Sequence, residues 1–216
     1  MAKIAPFETY HHRYDEWFEL HAAAYHSELL AIRTLLPWKG TGLSLGVGTG
    51  RFAAPLGVQL GIDPAREMLD YAVKRGISVV QGIAEALPFS DHSFDYALSV
   101  TTICYVDDVG AMLQEAYRVL KPGGKLVIGF IDRTSKLGQH YLAHQADNVF
   151  YREATFFSAT EVEQLLNNTG FIQPVWVQTL SKMPEEIYEI EPMHSNYGEG
   201  AFVVVRVKKS ETFRHT

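Results

Sequence analysis

The sequence predicts an α/β domain built on a mainly parallel sheet. Short apolar patterns typical of strands alternate with amphipathic helix patterns, and one strand pattern runs directly into a glycine-rich loop. The length of 216 residues suits one such domain. Hydrophobic residues make up 47% of the chain and charged residues 20%, so a sizeable core can form and disorder is not indicated.

A helix pattern comes first, and the alternation then occupies residues 42–131. Strands are predicted over 42–45, 58–62, 77–81, 94–100 and 125–131. Helices are predicted over 10–36, from Asp63-Pro64 to Gly76, and from Asp107 or Asp108 to about Leu120. Asp63-Pro64 is a typical helix start, because Asp caps the first turn and Pro is favoured at the first helical position. Strands joined by helices imply right-handed crossovers and parallel pairing.

The pattern changes after Asp132. Residues 133–157 are polar and aromatic and carry no clear period, while a helix is predicted over 159–169. Strand patterns then follow over 172–180 and 201–207 with no helix pattern between them. This predicts an antiparallel pair that closes the sheet.

Charge and cysteine content narrow the function classes. The net charge is −6 and Lys208-Lys209 is the only basic cluster, so nucleic acid is not expected as a partner. A single cysteine, Cys104, excludes an intramolecular disulfide and predicts a reducing, cytoplasmic location. No uncharged apolar run approaches about 18 residues, so no membrane association is expected. The oligomeric state is left open.

The glycine-rich loop, residues 46–50, carries the strongest functional signal. Its three glycines follow a strand and precede a helix, which lets a ligand approach the backbone closely. Asp63 ends the second strand, where an acid can hold a ribose. A dinucleotide-binding fingerprint would need a small residue at the position of Arg51. Asp63 does not distinguish the two cofactors, because an acid there can bind the ribose of NAD or of S-adenosylmethionine.

Four segments together resemble the class I S-adenosylmethionine-dependent methyltransferases, in the subgroup related to quinone-biosynthesis methyltransferases. The segments are 45–50 (LGVGTG), 61–64 (GIDP) with Met68-Leu69, 82–89 (GIAEALPF) with Phe94-Asp95, and 115–124 (EAYRVLKPGG). The resemblance covers about residues 14–170.

The resemblance implies a Rossmann-like α/β fold. Its sheet would have seven strands, mostly parallel with the last antiparallel, and helices on both faces. Residues 1–40 would form an N-terminal helical cap and residues 41–210 the methyltransferase domain. The implied cofactor is S-adenosylmethionine, with S-adenosylhomocysteine as the product. No metal is expected, because His140 and His144 lack an evident third ligand.

The resemblance also implies a set of site residues. Asp63 would accept hydrogen bonds from the ribose, and residues 99–102 would face the transferable methyl group. The implied cofactor-binding residues are Tyr14, Gly46, Val47, Gly48, Gly50, Asp63, Pro64, Met68, Ala84, Glu85 and Thr101. The candidate acceptor-binding residues are Thr102, Tyr105 and His140. Ser44 and Ile83 stand where the family usually carries acids.

Methyl transfer from a sulfonium needs alignment more than acid–base groups, so no catalytic residue is identified. The acceptor is expected to be a small molecule. Residues 99–102 (SVTT) lack the Asn/Asp-Pro-Pro-aromatic motif of base and glutamine N-methyltransferases. Two alternatives stay open: a non-catalytic S-adenosylmethionine-binding or interaction module, and an NAD(P)-dependent oxidoreductase.

Overall fold

A computed structural model describes residues 3–211 and is centred on one eight-stranded sheet. The strands are β1 (Gly42–Leu45), β2 (Leu60–Asp63), β3 (Ser78–Gln81), β4 (Phe94–Val100), β5 (Leu120–Ile131), β6 (Phe171–Thr179), β7 (His194–Ser195) and β8 (Phe202–Lys209). The α-helices are α1 (Ala5–Thr9), α2 (His11–Leu20), α3 (Ala22–Leu35), α4 (Ala53–Leu56), α5 (Arg66–Lys74), α6 (Val109–Val119), α7 (Lys136–Ala143) and α8 (Ala159–Thr169).

The sheet order is β3-β2-β1-β4-β5-β8-β6-β7. The first five strands pair in parallel, whereas β8 runs antiparallel to both β5 and β6. The predicted Rossmann-like α/β fold and its antiparallel closing pair are therefore confirmed. The two-residue strand β7 adds an eighth strand beside β6, which the sequence did not predict.

Side chains along the central strands alternate between the two faces of the sheet, so each face presents an apolar surface. Helices cover both faces and complete two separate cores. In β8, Phe202 and Val204 join the core beneath α3, α4 and α5, while Val203 and Val205 join the core beneath α6 and α8. The Leu126–Ile128 segment of β5 alternates in the same way. Strands buried on both faces read as continuous apolar runs, as the sequence does here.

The N-terminal region differs from the single helix predicted over 10–36. The helix breaks at His21, whose φ of −116° and ψ of 44° are not helical, and α2 and α3 meet there. Leu20, the last residue of α2 before the break, is 72% exposed. α3 packs on the half of the sheet formed by β5, β6 and β8.

The prediction that Asp63 caps α5 is wrong. α5 begins at Arg66 with Ala65 as its N-cap, and no side chain caps it. The Asp63 carboxylate turns toward the glycine loop instead, as described below. Asp108 does cap α6, since its carboxylate accepts a hydrogen bond of 3.0 Å from the Ala111 N–H.

A capping box starts α8 and yields a test of the fold. The Ser158 hydroxyl accepts from the Glu161 N–H at 3.3 Å, and the Glu161 carboxylate accepts from the Ser158 N–H at 2.8 Å. We expect Ser158→Ala to lower the free energy of unfolding by about 1 kcal/mol in chemical denaturation. The control is Thr160→Ala at an exposed position of the same turn, which should change little. Equal effects of both changes would contradict the capping role.

Candidate active site

The glycine loop has a backbone that other residues would strain. The φ angles of Gly46, Gly48 and Gly50 are +65°, +53° and +81°. A Cβ on Gly46 would lie 2.3 Å from the Thr102 Cγ2, and one on Gly50 would lie 2.6 Å from the Ile77 Cδ1. At Gly48 the nearest atom would be the Met68 Cε at 3.5 Å. Internal packing therefore constrains the outer two glycines, whereas a Cβ at Gly48 would make only an ordinary van der Waals contact with Met68.

Asp63 joins the glycine loop to the end of β2. One carboxylate oxygen accepts from the Gly48 N–H at 2.9 Å, and the other accepts from the Ala65 N–H at 2.9 Å. Burial raises the pKa of Asp63 to about 6, although the two N–H groups favour the charged form. Each oxygen keeps a free lone pair for a further donor.

Three neighbouring cavities lie at this edge of the sheet. We call them the edge cavity, the loop cavity and the aromatic chamber. The edge cavity holds about 80 Å³ beyond the ends of β1, β2 and β4. The predicted residues that line it are Tyr14, Gly46, Gly48, Asp63, Pro64, Met68, Ala84, Glu85, Thr101, Thr102 and Tyr105.

The loop cavity lies under the glycine loop. Its lining includes Ser44, Val47, Thr49, Arg51 and Tyr14. Ser44 thus falls at this site, and Ile83 lies in the wall of the edge cavity. Both departures from the family pattern are therefore at the site itself.

The aromatic chamber is the largest of the three, at about 410 Å³. This volume falls within the range of small-molecule sites, roughly 300–1,000 Å³. Aromatic side chains from α2, β5 and the segment around α7 line much of it, among them Trp17, Phe130, Tyr141, Tyr151 and Phe156.

Three residues line both the edge cavity and the aromatic chamber: Tyr14, Thr101 and Tyr105. Thr101 has a φ of +51°, which β-branched residues rarely adopt, and its N–H donates to the Gly129 carbonyl at 2.8 Å. Backbone strain of this kind is frequent at functional sites. Burial raises the pKa values of Tyr14 and Tyr105, so both phenols are neutral and can donate hydrogen bonds.

A buried ion cluster fixes α2 against the glycine loop. The Arg51 guanidinium bonds to the Asp15 carboxylate at 3.0 and 2.7 Å, and Arg75 bonds to the same carboxylate at 2.8 Å. Burial opposes its ionisation, but these hydrogen bonds lower the pKa of Asp15 to about 2. The cluster holds the helix that carries Tyr14.

Comparison with known proteins identifies the fold's family. A family model described as a methyltransferase domain matches residues 43–128. A crystal structure from Thermotoga maritima, of an S-adenosylmethionine-dependent methyltransferase described as a possible histamine N-methyltransferase, is 50% identical to this chain. Its TM-score is 0.92, and the match covers 94% of this chain and 98% of that one. The chain belongs to the class I S-adenosylmethionine-dependent methyltransferases.

Two further relatives extend this comparison. An uncharacterized protein of Methanocaldococcus jannaschii is 41% identical over 203 residues, or 94% of this methyltransferase and 98% of the relative. The malonyl-[acyl-carrier protein] O-methyltransferase of Methylococcus capsulatus is 32% identical over 156 residues, or 67% and 56% of the two chains. Membership of this family favours an enzyme rather than the non-catalytic binding module. It also favours a methyltransferase rather than the NAD(P)-dependent oxidoreductase.

The methyltransferase site does not bring all the predicted residues together. Thr102 lies beneath Gly46, where its hydroxyl donates to the Leu45 carbonyl at 3.1 Å, and it lines the edge cavity only. His140 lies on an exposed part of α7 and lines none of the three cavities. Ser99, implied to face the methyl group, is fully buried and also lines none of them.

Two further predicted cofactor residues, Val47 and Gly50, do not line the edge cavity. Val47 lines the loop cavity, while Gly50 packs against α5.

Across residues 3–211, no three His, Cys, Asp or Glu side chains are grouped to hold a metal ion. None of the helices in that range combines the length and hydropathy of a membrane span.

The sequence did not reveal the aromatic residues of β5 and of residues 141–156 that line the chamber, nor two further residues of the site, Phe7 and Glu28. Phe7 of α1 lies over the edge cavity and packs edge-on against Tyr14 and Tyr105, with ring centroids 5.5 and 4.8 Å away. Glu28 of α3 lines the aromatic chamber. A signal for Glu28 existed, because it falls at helical spacing on the apolar stripe that includes Ala24.

The two kinds of loop glycine generate a prediction about stability. Alanine at either Gly46 or Gly48 must adopt a left-handed backbone, which costs about 1–2 kcal/mol. At Gly46 the added Cβ also overlaps Thr102, which costs about a further 1–3 kcal/mol. We expect Gly46→Ala to lower the free energy of unfolding more than Gly48→Ala in chemical denaturation. Equal losses would show that the Thr102 contact yields freely.

Proposed function

We propose that this enzyme binds S-adenosylmethionine across the edge and loop cavities and transfers its methyl group to a small organic acceptor in the aromatic chamber. The observation that carries the proposal is the shared wall of Tyr14, Thr101 and Tyr105. A methyl group held at that wall would point from one cavity into the other. This is the arrangement that an in-line displacement needs.

The residues of the edge and loop cavities fit the cofactor. Asp63 offers free lone pairs to the two ribose hydroxyls, and the space beside Gly48 admits a ligand close to the backbone. Met68 and Ala84 supply an apolar surface suited to an adenine ring. The polar lining of the loop cavity, with Ser44 and Thr49, suits the amino-acid end of the cofactor.

The N-terminal segment acts as a cover in this proposal. Ile4 and Phe7 lie across the edge cavity, and the Arg66 N–H donates to the Glu8 carboxylate at 2.5 Å. The remaining space of about 80 Å³ is below the roughly 300 Å³ of small-molecule sites. We propose that α1 moves outward to admit the cofactor. This extends the proposed helical cap, residues 1–40, to a role in binding.

The bound cofactor supplies a methyl group already activated on a sulfonium. The protein's contribution is alignment and exclusion of water, which can supply about 7–11 kcal/mol. Neutral phenols at Tyr14 and Tyr105 orient the acceptor by donating hydrogen bonds. The aromatic walls of the chamber keep the reacting atoms dry.

The chamber's dimensions favour a small acceptor. Its walls are mainly aromatic, and its rim carries the exposed charged residues Arg13, Glu16 and Glu185. The similarity to a Thermotoga maritima protein described as a possible histamine N-methyltransferase favours nitrogen as the acceptor atom.

Cofactor affinity tests the role of Asp63. We expect Asp63→Asn to weaken S-adenosylhomocysteine binding by about 1.5–3 kcal/mol, because a charged acceptor of the ribose hydroxyls is lost. Since the Asp63 pKa is about 6, wild-type affinity should fall as the pH drops below that value. The variant should lack this pH dependence. Calorimetry measures both, with Glu67→Gln on the exposed first turn of α5 as control. Unchanged affinity in Asp63→Asn would exclude the ribose contact.

Transfer itself is tested with methyl-labelled S-adenosylmethionine and a panel of small amines, phenols and carboxylates. We expect labelled product with at least one class, and a much lower rate in Asp63→Asn at limiting cofactor. Binding of S-adenosylhomocysteine without transfer to any class would contradict the proposed small-molecule acceptor.

A further inference from the structure

The aromatic chamber contains a buried acid that the proposed methyl transfer does not use. Glu28 lies in the middle of α3 and is only 5% exposed, yet it forms part of the chamber wall. It occupies the buried stripe of the helix, four residues after Ala24 and three before Ala31, both fully buried. An apolar residue would be the ordinary occupant of this position.

Glu28 differs from the other buried acids of residues 3–211 in having no partner. Asp15 is bonded to Arg51 and Arg75. Asp132 accepts from the backbone and hydroxyl of Thr134 and from the backbone of helix α8. Within the described range, by contrast, no donor lies within hydrogen-bonding distance of the Glu28 carboxylate. Glu28 itself lines the chamber.

An unpaired buried carboxylate is costly, and the protein does not offset that cost internally. Burial alone raises the pKa of Glu28 to about 8, so near pH 7 the group is mainly protonated in the empty chamber and ionises when a cation pairs with it. The basic groups of the chamber wall are engaged elsewhere: His21 lies 3.7 Å from Glu185, and exposed Arg13 lies over the ring of Phe150. A cationic ligand would supply the missing partner.

The rest of the chamber suits an organic cation. Trp17, Tyr105, Tyr141 and Tyr151 present aromatic rings to the same space. Ring faces attract ammonium groups, and ring surfaces also bury the apolar body of a ligand. The chamber therefore combines one carboxylate with an aromatic enclosure, a pairing that selects for charge rather than for size alone.

We propose that the methyl acceptor is a small amine that is cationic in solution, with an apolar or aromatic body, and that Glu28 binds its ammonium group in the aromatic chamber. The nitrogen gains the lone pair it needs for attack on the methyl group by passing one proton to the Glu28 carboxylate. This inference rests on the proposed function, because it takes the chamber to be the acceptor site. Glu28 is thereby a specificity-determining residue, which selects amines over neutral molecules of the same shape.

The test compares amines with alcohols of matching shape. Phenethylamine and 2-phenylethanol form one pair, and tryptamine and tryptophol form the other. Each is titrated by calorimetry into the complex of the protein with S-adenosylhomocysteine at about pH 8.5, where Glu28 is mainly ionised and alkyl amines are still protonated. We expect at least one amine to bind about tenfold or more tightly than its alcohol.

Variants then assign that preference to Glu28. Glu28→Gln keeps the shape and removes the charge, and should abolish the preference while leaving the affinities for the alcohol and for S-adenosylhomocysteine unchanged. Glu28→Asp keeps the charge and should retain part of the preference. Glu16→Gln removes an exposed acid at the chamber rim and serves as the matched control. Thermal melts show that each variant is folded.

Three results would overturn the inference: no binding of either amine, equal binding of amine and alcohol, or a preference that survives in Glu28→Gln. Failure of S-adenosylhomocysteine itself to bind would instead defeat the proposed function. The two failures are thus distinguishable within one set of titrations.

Discussion

The hydrogen bond from the Gly48 N–H to the Asp63 carboxylate is the contact on which the site depends. It joins the loop after β1 to the end of β2, two neighbouring parallel strands, and so fixes the edge of the sheet where the cavities lie. This hydrogen bond leaves other lone pairs of the Asp63 carboxylate free to accept hydrogen bonds. The same interaction therefore shapes the loop and leaves an acceptor available for a ligand.

Around this contact, several features cost stability and are understandable only through function. Thr101 adopts a left-handed backbone, Asp63 is held in a buried position that disfavours its charge, and Glu28 is buried without a partner. Such features persist when the surrounding structure is strong enough to hold them. Here two apolar cores, one on each face of the sheet, provide that support.

Local signals in the sequence were sufficient for much of the fold. The strand predicted over 94–100 and the helix predicted over 159–169 match the structure, because apolar runs and capping residues are readable within a few positions. The break at His21 and the helix α7 were not predicted, since tertiary packing decides them. The sequence shows Glu28 as an acid on the apolar stripe of a helix, but only the structure shows that it lines the aromatic chamber.

Calorimetric titration of the wild-type protein with S-adenosylhomocysteine tests the central claim most directly, because this product form binds without turnover. We predict a single site with a dissociation constant of about micromolar order, which corresponds to a binding free energy of roughly −8 kcal/mol. The absence of both heat and any thermal shift at millimolar ligand would contradict it. That result would mean that Ser44 and Ile83 mark a site that has lost its cofactor.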